Sequence, residues 1–348
     1  LEIQPKWEQL FCKGFQCIRE GFVFLIAMTR IFPIFLILFL VSCSNELPVN
    51  MESEGVPVVY CVLDMDDSLQ QVRLAKSFLP QEGDFGQDHY TVEQWNEPVE
   101  IYLEEWTDAH TPVIYNFSRV NEISQDTGFF ADPSFQLYQT YLKPIENMVY
   151  YLYLWFPERQ YFAYASTIAI GHTEIINPAA IPGRKVTFSE TDDYMIELKP
   201  RPNAGFHQFN FLLTIEQHSG DDFIQGHFNL GDQVNQEYDG QIMTYLLNSE
   251  RFYTDLLKQY DTLAGSDYRH ITGIEFNVFS YGSELRIYNQ LYDNGSQTWE
   301  IQSYSSFRNG FGLFSSKAKS RTANLELSDL TYYILTNDPR YKHLKFVQ

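Results

Sequence analysis

Residues 207–217, HQFNFLLTIEQ, decide the fold. Phe209, Phe211, Leu213 and Ile215 fall on one side of an extended chain, with Asn210, Thr214 and Glu216 on the other. A period of two held over that length marks a strand with one buried and one wet face. Ser219-Gly220-Asp221-Asp222 turns the chain. Phe223 to Leu230 then returns, with Ile224, Phe228 and Leu230 expected to face the same core. The two runs read as an antiparallel hairpin.

Similar signals extend outward on both sides. Val56 to Leu63 is apolar and β-branched, Asp64 to Ser68 is a turn, and Gln70 to Ala75 alternates with Val72 and Leu74 on one face. Pro98 to Glu104, Pro112 to Phe117, and Met148 to Phe156 follow, the last pairing with Tyr161 to Ile170 across Pro157-Glu158-Arg159. The Tyr150 to Trp155 run is expected to be core. Met195 to Lys199 and Ile271 to Phe279 are further strands. Helices are expected near 249–264, 283–293 and 328–337, with Ser249, Ser283 and Ser328 as caps. Strands separated by turns rather than helices point to a mainly β protein. The expected form is two tandem antiparallel β-sandwiches with a short helical C-terminal elaboration. Asn177 to Gly183, rich in Pro and Gly, divides segment 56–177 from segment 178–348.

The chain has 348 residues, 24 basic and 45 acidic, for a net charge of −21. Such acidity argues against nucleic acid and against charge-driven docking on anionic lipid. An aromatic share of 16% argues against disorder.

The N-terminal region carries an address. Residues 1–27 read as upstream sequence before a start at Met28. Met28-Thr29-Arg30 is a short basic segment, and Ile31 to Val41 is apolar but too short to span a bilayer as a helix. Leu40-Val41-Ser42-Cys43 resembles the lipobox of bacterial lipoproteins. The resemblance makes 28–42 a signal peptide cleaved before Cys43, makes Cys43 the acylated residue, and makes 44–55 a tether. Several acyl chains on one residue anchor a protein stably. Cys61, amid Val59, Tyr60, Val62 and Leu63, reads as a buried small hydrophobe.

Four stretches carry a further likeness: Pro57-Val58-Val59-Tyr60 through Val72 to Phe78, Tyr164-Ala165-Ser166-Thr167, Asn203-Ala204-Gly205-Phe206-His207, and Ser306 through Ser316 with its Asn309-Gly310-Phe311-Gly312 core. Their order resembles that of a family of uncharacterised Bacteroidota outer-membrane lipoproteins catalogued as domain of unknown function 4249. The likeness spans about 56–346. It implies an Ig-like or transthyretin-like sandwich followed by a fibronectin-like one with a helical C-terminal elaboration, encoded by genes that often sit beside those of TonB-dependent outer-membrane transporters. It brings no established activity.

No chemistry-bearing motif stands out. Asn309-Gly310-Phe311-Gly312 lacks the Lys-Ser/Thr ending of a phosphate loop and reads as a tight turn. Asp64, Asp66 and Asp67 lack the Gly and distal Glu of a calcium loop. His218 near Asp221 and Asp222 reads as a solvated hairpin tip. No Gly-x-Ser-x-Gly elbow or His-Glu-x-x-His pair is present. Glu104 and Glu105 alternate across faces and cannot share one site. No catalytic residue, metal or cofactor is therefore expected. Trp95, in the polar run 90–96, is the expected exposed ligand-binding aromatic, and Ser68 in Asp67-Ser68-Leu69 resembles a Bacteroidota O-glycosylation site, as Thr262 does more weakly. The expectation is a non-catalytic, lipid-anchored envelope protein, an accessory to a β-barrel transporter. A glycan-binding or adhesin module is the alternative, and a hydrolase with a dispersed site is the third reading.

Overall fold

Alternation in the sequence becomes alternation of burial in the molecule. The computed structural model describes residues 55–77, 95, 97–107, 111–120, 136–234, 241–261, 266–293 and 305–348. The first strands are β1 (Val56–Asp64), β2 (Leu69–Ser77), β3 (Glu100–Trp106), β4 (Val113–Asn116), β5 (Ser118–Arg119), β6 (Gln136–Tyr141), β7 (Val149–Phe156) and β8 (Tyr161–Ile168). Next come β9 (Glu174–Asn177), β10 (Lys185–Val186), β11 (Tyr194–Lys199), β12 (Ala204–Ser219), β13 (Asp222–Val234) and β14 (Met243–Leu247). Helix α1 (Ser249–Tyr260), β15 (Tyr268–Gly282), α2 (Ser283–Asp293), β16 (Phe311–Leu327), α3 (Asp329–Asn337) and β17 (Phe346–Val347) complete the described chain. The protein is mainly β, built as packed sheets with short helices.

One large sheet runs β13-β12-β15-β16-β1-β2-β6-β5, with β10 beside β16 and β17 beside β15. Two smaller sheets, β4-β3-β7-β8 and β14-β11-β9, lie apart from it in hydrogen bonding. Most neighbours are antiparallel. Three pairings are parallel: β1 with β16, β10 with β16, and β15 with β17. All three arise because the C-terminal segment returns to strands laid down earlier.

Two hydrophobic cores result. The first joins Val59, Cys61, Leu63, Val72 and Leu74 of β1 and β2 to Ile101, Leu103, Leu152 and Leu154 of β3 and β7. The second joins Phe209, Phe211, Leu213 and Ile215 of β12 to Phe228, Phe276, Val278, Ile196, Phe252 and Leu256. Strand β16 serves both. Its Phe314 and Ala318 enter the first core, and its Leu325 and Leu327 enter the second. The division near 177 is thus not a clean cut in space, and Gly55–Gln348 form one compact unit.

Gly312 makes the β1–β16 junction possible. It pairs with Val59 at φ +123°. A Cβ there would sit 1.9 Å from the Val59 carbonyl oxygen, so only glycine fits this approach. Asn309, also at positive φ, begins the turn that feeds the strand.

Several expectations need correction. Ile224 shares the parity of Phe228 and Leu230 but is 72% exposed, because the hairpin tip runs past the end of the core. The cap of α1 is Asn248, whose side chain accepts from the Arg251 N–H, and Ser249 is the first helical residue. Ser328 does cap α3, accepting from the Thr331 N–H. The run from Tyr150 to Trp155 is only half core: Tyr150, Leu152 and Leu154 are buried, while Tyr151, Tyr153 and Trp155 lie on the opposite face.

Candidate functional site

The face of β4-β3-β7-β8 turned away from the core carries a ladder of half-buried rings with exposed rings at its two ends. The register places Glu100, Trp155 and Phe162 in one row, and Asn116, Tyr102, Tyr153 and Tyr164 in the next. Ile114, Glu104, Tyr151 and Ser166 form a third row, and Trp106, Val149 and Ile168 a fourth. Neighbouring rings touch. Trp106 and Tyr151 lie 6.4 Å apart edge-on, Tyr151 and Tyr153 6.4 Å, Tyr153 and Tyr164 5.9 Å, and Tyr164 and Phe162 5.8 Å. Tyr102 stacks on Tyr153 at 5.1 Å. The ladder therefore crosses three strands over roughly 20 Å of sheet.

This face is open at its ends, where Trp106 is 41% and Phe162 46% exposed. Glu104 accepts from the Trp106 indole at 3.0 Å and fixes that ring. Burial first, then Glu104 and Glu100, holds the Tyr102 phenol above its usual range. Tyr153 is raised for the same leading reason, with Glu104 adding. Both phenols thus remain neutral hydrogen-bond donors at ordinary pH. The opposite face of the sheet is core, where Tyr150 donates to the buried Glu105 at 2.8 Å and accepts from the Ile145 N–H at 2.9 Å.

A second constellation is buried. The stretches 164–167, 203–207 and 306–316, distant in sequence, meet around it. Tyr164 and Arg308 exchange backbone hydrogen bonds, and the Asn309 amide donates to the Phe162 carbonyl at 3.1 Å. The Ser316 hydroxyl accepts from the Ile170 N–H and donates to the Ile168 carbonyl. His207 Nδ1 lies 3.0 Å from Ser280 Oγ, which lies 2.7 Å from Thr173 Oγ1. Burial pushes the His207 imidazole down to about 4, so it is neutral at pH 7. Ser315 donates to Glu284 at 3.1 Å, and burial raises that carboxyl above its usual range. His207 and Ser280 are both fully buried, so this His–Ser pair does not face solvent where a substrate could reach it. It reads as the polar clasp between strands of the two cores.

The structure relocates the expected site residues. Trp95 is 1% exposed and sits in the first core, 4.6 Å from Phe156, with the Arg159 guanidinium 5.0 Å from its ring centroid. Gln136 donates to its backbone carbonyl, and Arg159 is fixed in turn by Glu97 at 2.7 Å. Trp95 is therefore a core anchor and not an exposed ligand-binding residue. Polar neighbours in the sequence hid a ring that the fold turns inward. Ser68 is exposed on the β1–β2 turn. Cys43 and Thr262 lie outside the described residues.

The acidic turn is held by partners from other segments. Asp66 pairs with His172 at 3.0 Å and accepts from the Lys319 N–H at 2.6 Å, and Asp64 pairs with Lys317 at 3.0 Å. His218 stacks on Tyr268 at 4.4 Å and meets Glu216 at 3.3 Å, away from a metal-type grouping with Asp221 and Asp222. Cys61 is buried as expected, and burial drives its thiol far up. The ladder escaped the sequence reading because rings of both parities in 150–155 look like a strand buried on both faces.

No family model matches the chain, and no curated protein matches it. Among solved structures, it is compared with the C-terminal globular domain of an oligosaccharyltransferase from Pyrococcus abyssi, at 9% identity and TM-score 0.23, covering 64% of this chain and 46% of that one. A secreted serine protease from Vibrio cholerae gives 8% identity, TM-score 0.15, and 56% and 44% coverage. The CBD12 structure from CALX1.2 gives 7%, 0.16, and 76% and 99%. This chain spans less than half of the first two. At these TM-scores none of the three bears on fold or function.

Proposed function

We propose that this protein is a non-catalytic, lipid-anchored binding subunit of the outer membrane, held through Cys43 and acting beside a TonB-dependent β-barrel transporter. The observation that carries the reading is the ring ladder from Trp106 to Phe162, exposed at both ends and half-buried between them, with Ile114 and Ile168 on the same face. A contiguous aromatic and apolar face on a stiff sheet, rimmed by Glu100 and Asn116, has the composition of a protein-docking surface. Its partner must be near the membrane. The tether 44–55 reaches at most roughly 40 Å when fully extended. An embedded barrel with loops at the bilayer surface satisfies that limit.

The test is affinity purification of the tagged, lipidated chain from native outer membranes in mild detergent. Wild type is expected to carry a β-barrel protein in stoichiometric amount. Trp106→Ala with Phe162→Ala should lose it while melting near wild type, and Cys43→Ala should lose acyl labelling. Recovery of no envelope protein, or unchanged recovery by the double variant, refutes the reading.

A further inference from the structure

A different face of the molecule holds a hollow of about 450 Å³, bordered by Gln208, Asn210, Asn229, Gly231, Gln233 and Phe279. It lies where β13, β12 and β15 run side by side. Register places Gln233, Gln208, Phe279 and Lys319 in one row, and Gly231, Asn210, Asn277 and Arg321 in the next. Gly231 packs so closely that a Cβ would stand 3.3 Å from the Phe209 carbonyl oxygen and 3.4 Å from the Asn210 Cβ. Its missing side chain leaves room above Asn210, and its carbonyl is pinned by Arg251 at 2.8 Å.

The lining combines the carboxamides of Gln208, Asn210, Asn229 and Gln233 with Gly231, Phe209, Phe279 and one acidic residue, Asp232. Four carboxamides converge, each able to donate and accept. Gln208 Oε1 is taken by the Tyr281 hydroxyl at 3.1 Å, which directs its amide hydrogens elsewhere. Asn277 is 3% exposed and donates to Asn210 Oδ1 at 3.2 Å, while its own Oδ1 has no donor. The Asp232 and Arg321 charges beside it are already matched. Asp232 takes the Tyr245 hydroxyl at 2.6 Å and Arg251 at 3.0 Å. Arg321 pairs with Glu275, and the Lys319 ammonium lies 5.3 Å from the Phe279 ring centroid.

We propose that this hollow binds a neutral sugar, a pyranose unit at the end or edge of a glycan. Sugar hydroxyls each give and take a hydrogen bond, as carboxamides do, and an uncharged polyol needs no counter-ion. Phe279 adds apolar ring surface against which pyranose C–H groups can pack. The volume is that of a small-molecule site. This assignment is independent of the ring ladder, which lies on another sheet.

The test uses the full chain in detergent and ligand-observed saturation-transfer NMR. The probes are methyl glycosides of glucose, galactose, mannose and N-acetylglucosamine and their disaccharides, followed by titration calorimetry. At least one glycoside is expected to bind. Asn210→Ala and the exposed Gln233→Ala should each weaken it about five- to tenfold, the loss of one hydrogen bond. Trp106→Ala should leave it unchanged, which separates this site from the docking face. Silence across the panel, affinity unchanged in both carboxamide variants, or displacement of the sugar by adenosine or uridine overturns the proposal.

Discussion

Replacing Gly312 by alanine should open the seam between β1 and β16. The added Cβ would lie 1.9 Å from the Val59 carbonyl oxygen and 2.7–2.8 Å from the Val59 carbonyl carbon and nitrogen. All three are backbone atoms, so no side chain can swing away to make room. Holding an L-residue at φ +123° adds a cost of roughly 1–3 kcal/mol. Relieving the overlap by parting the strands costs roughly another 1–3 kcal/mol, as overpacking does elsewhere. The expected loss is about 2–6 kcal/mol against a total stability of roughly 5–15 kcal/mol. For a chain of this size that corresponds to a fall in Tm on the order of 10 °C. Thermal and urea unfolding of Gly312→Ala and Gly310→Ala side by side would measure it. Gly310 has no positive φ, and its added Cβ would meet only 3.3–3.5 Å contacts, so its variant should lose about 1 kcal/mol or less. If Gly312→Ala melts within about 2 °C of wild type, the parallel pairing of Val59 with Gly312 is wrong.

Three further outcomes follow. His207, pushed down to about 4 by burial, takes up a proton on unfolding below its ordinary value near 6.5, so its contribution is complete above pH 6.5 and is lost as pH falls toward 4. Compared with His207→Asn, wild type should lose up to about 1.4 kcal/mol more per pH unit in that window, and identical pH slopes in urea titrations would contradict it. Trp95→Ala should cost about 3–5 kcal/mol by emptying part of the first core while leaving glycoside binding intact; a stable Trp95→Ala with altered ligand binding would return that ring to the surface. Tyr150→Phe strands the buried Glu105 carboxylate and the Ile145 N–H, which should lower the urea midpoint by about 1–3 kcal/mol equivalent with an unchanged m-value.

The strands that alternate cleanly were legible, and for a simple reason. In β12 the rings of Phe209 and Phe211 and the amide of Asn210 leave one choice of face. The β7–β8 hairpin was legible from Pro157 and its flanking apolar runs, and the chain turns there through a single 3-10 turn ending at Gln160 in the left-handed region. Strand β16 was not, because Ser315, Ser316, Lys317, Lys319, Ser320, Arg321 and Thr322 offer no alternation of apolar and polar residues. Its Ser315 and Ser316 are buried and its Lys317 and Arg321 are paired, which only the tertiary contacts reveal. Exposure was the other blind spot. Whether a ring meets core or solvent depends on what covers the sheet, so Trp95 and Tyr153 exchanged the roles their neighbours in sequence suggested. The carboxamide hollow has no sequence signal at all. Gln208, Asn229 and Gln233 become neighbours only through the β12–β13 register.

Strand β16 also sets a timetable. The residues around 55–177 acquire Phe307, Phe314 and Ala318 only after most of the second segment has been synthesised. At about 5–20 residues per second, the early strands wait on the order of ten seconds for the one that closes their core. Until then β1 exposes an unpaired edge and an open apolar face, the state most prone to pairing with the wrong chain. A fragment that stops at 177 would keep that state permanently. A strand made late is therefore the one that ends the first segment's vulnerability, and damage to it should be read out as aggregation of the whole chain rather than loss of a terminal module.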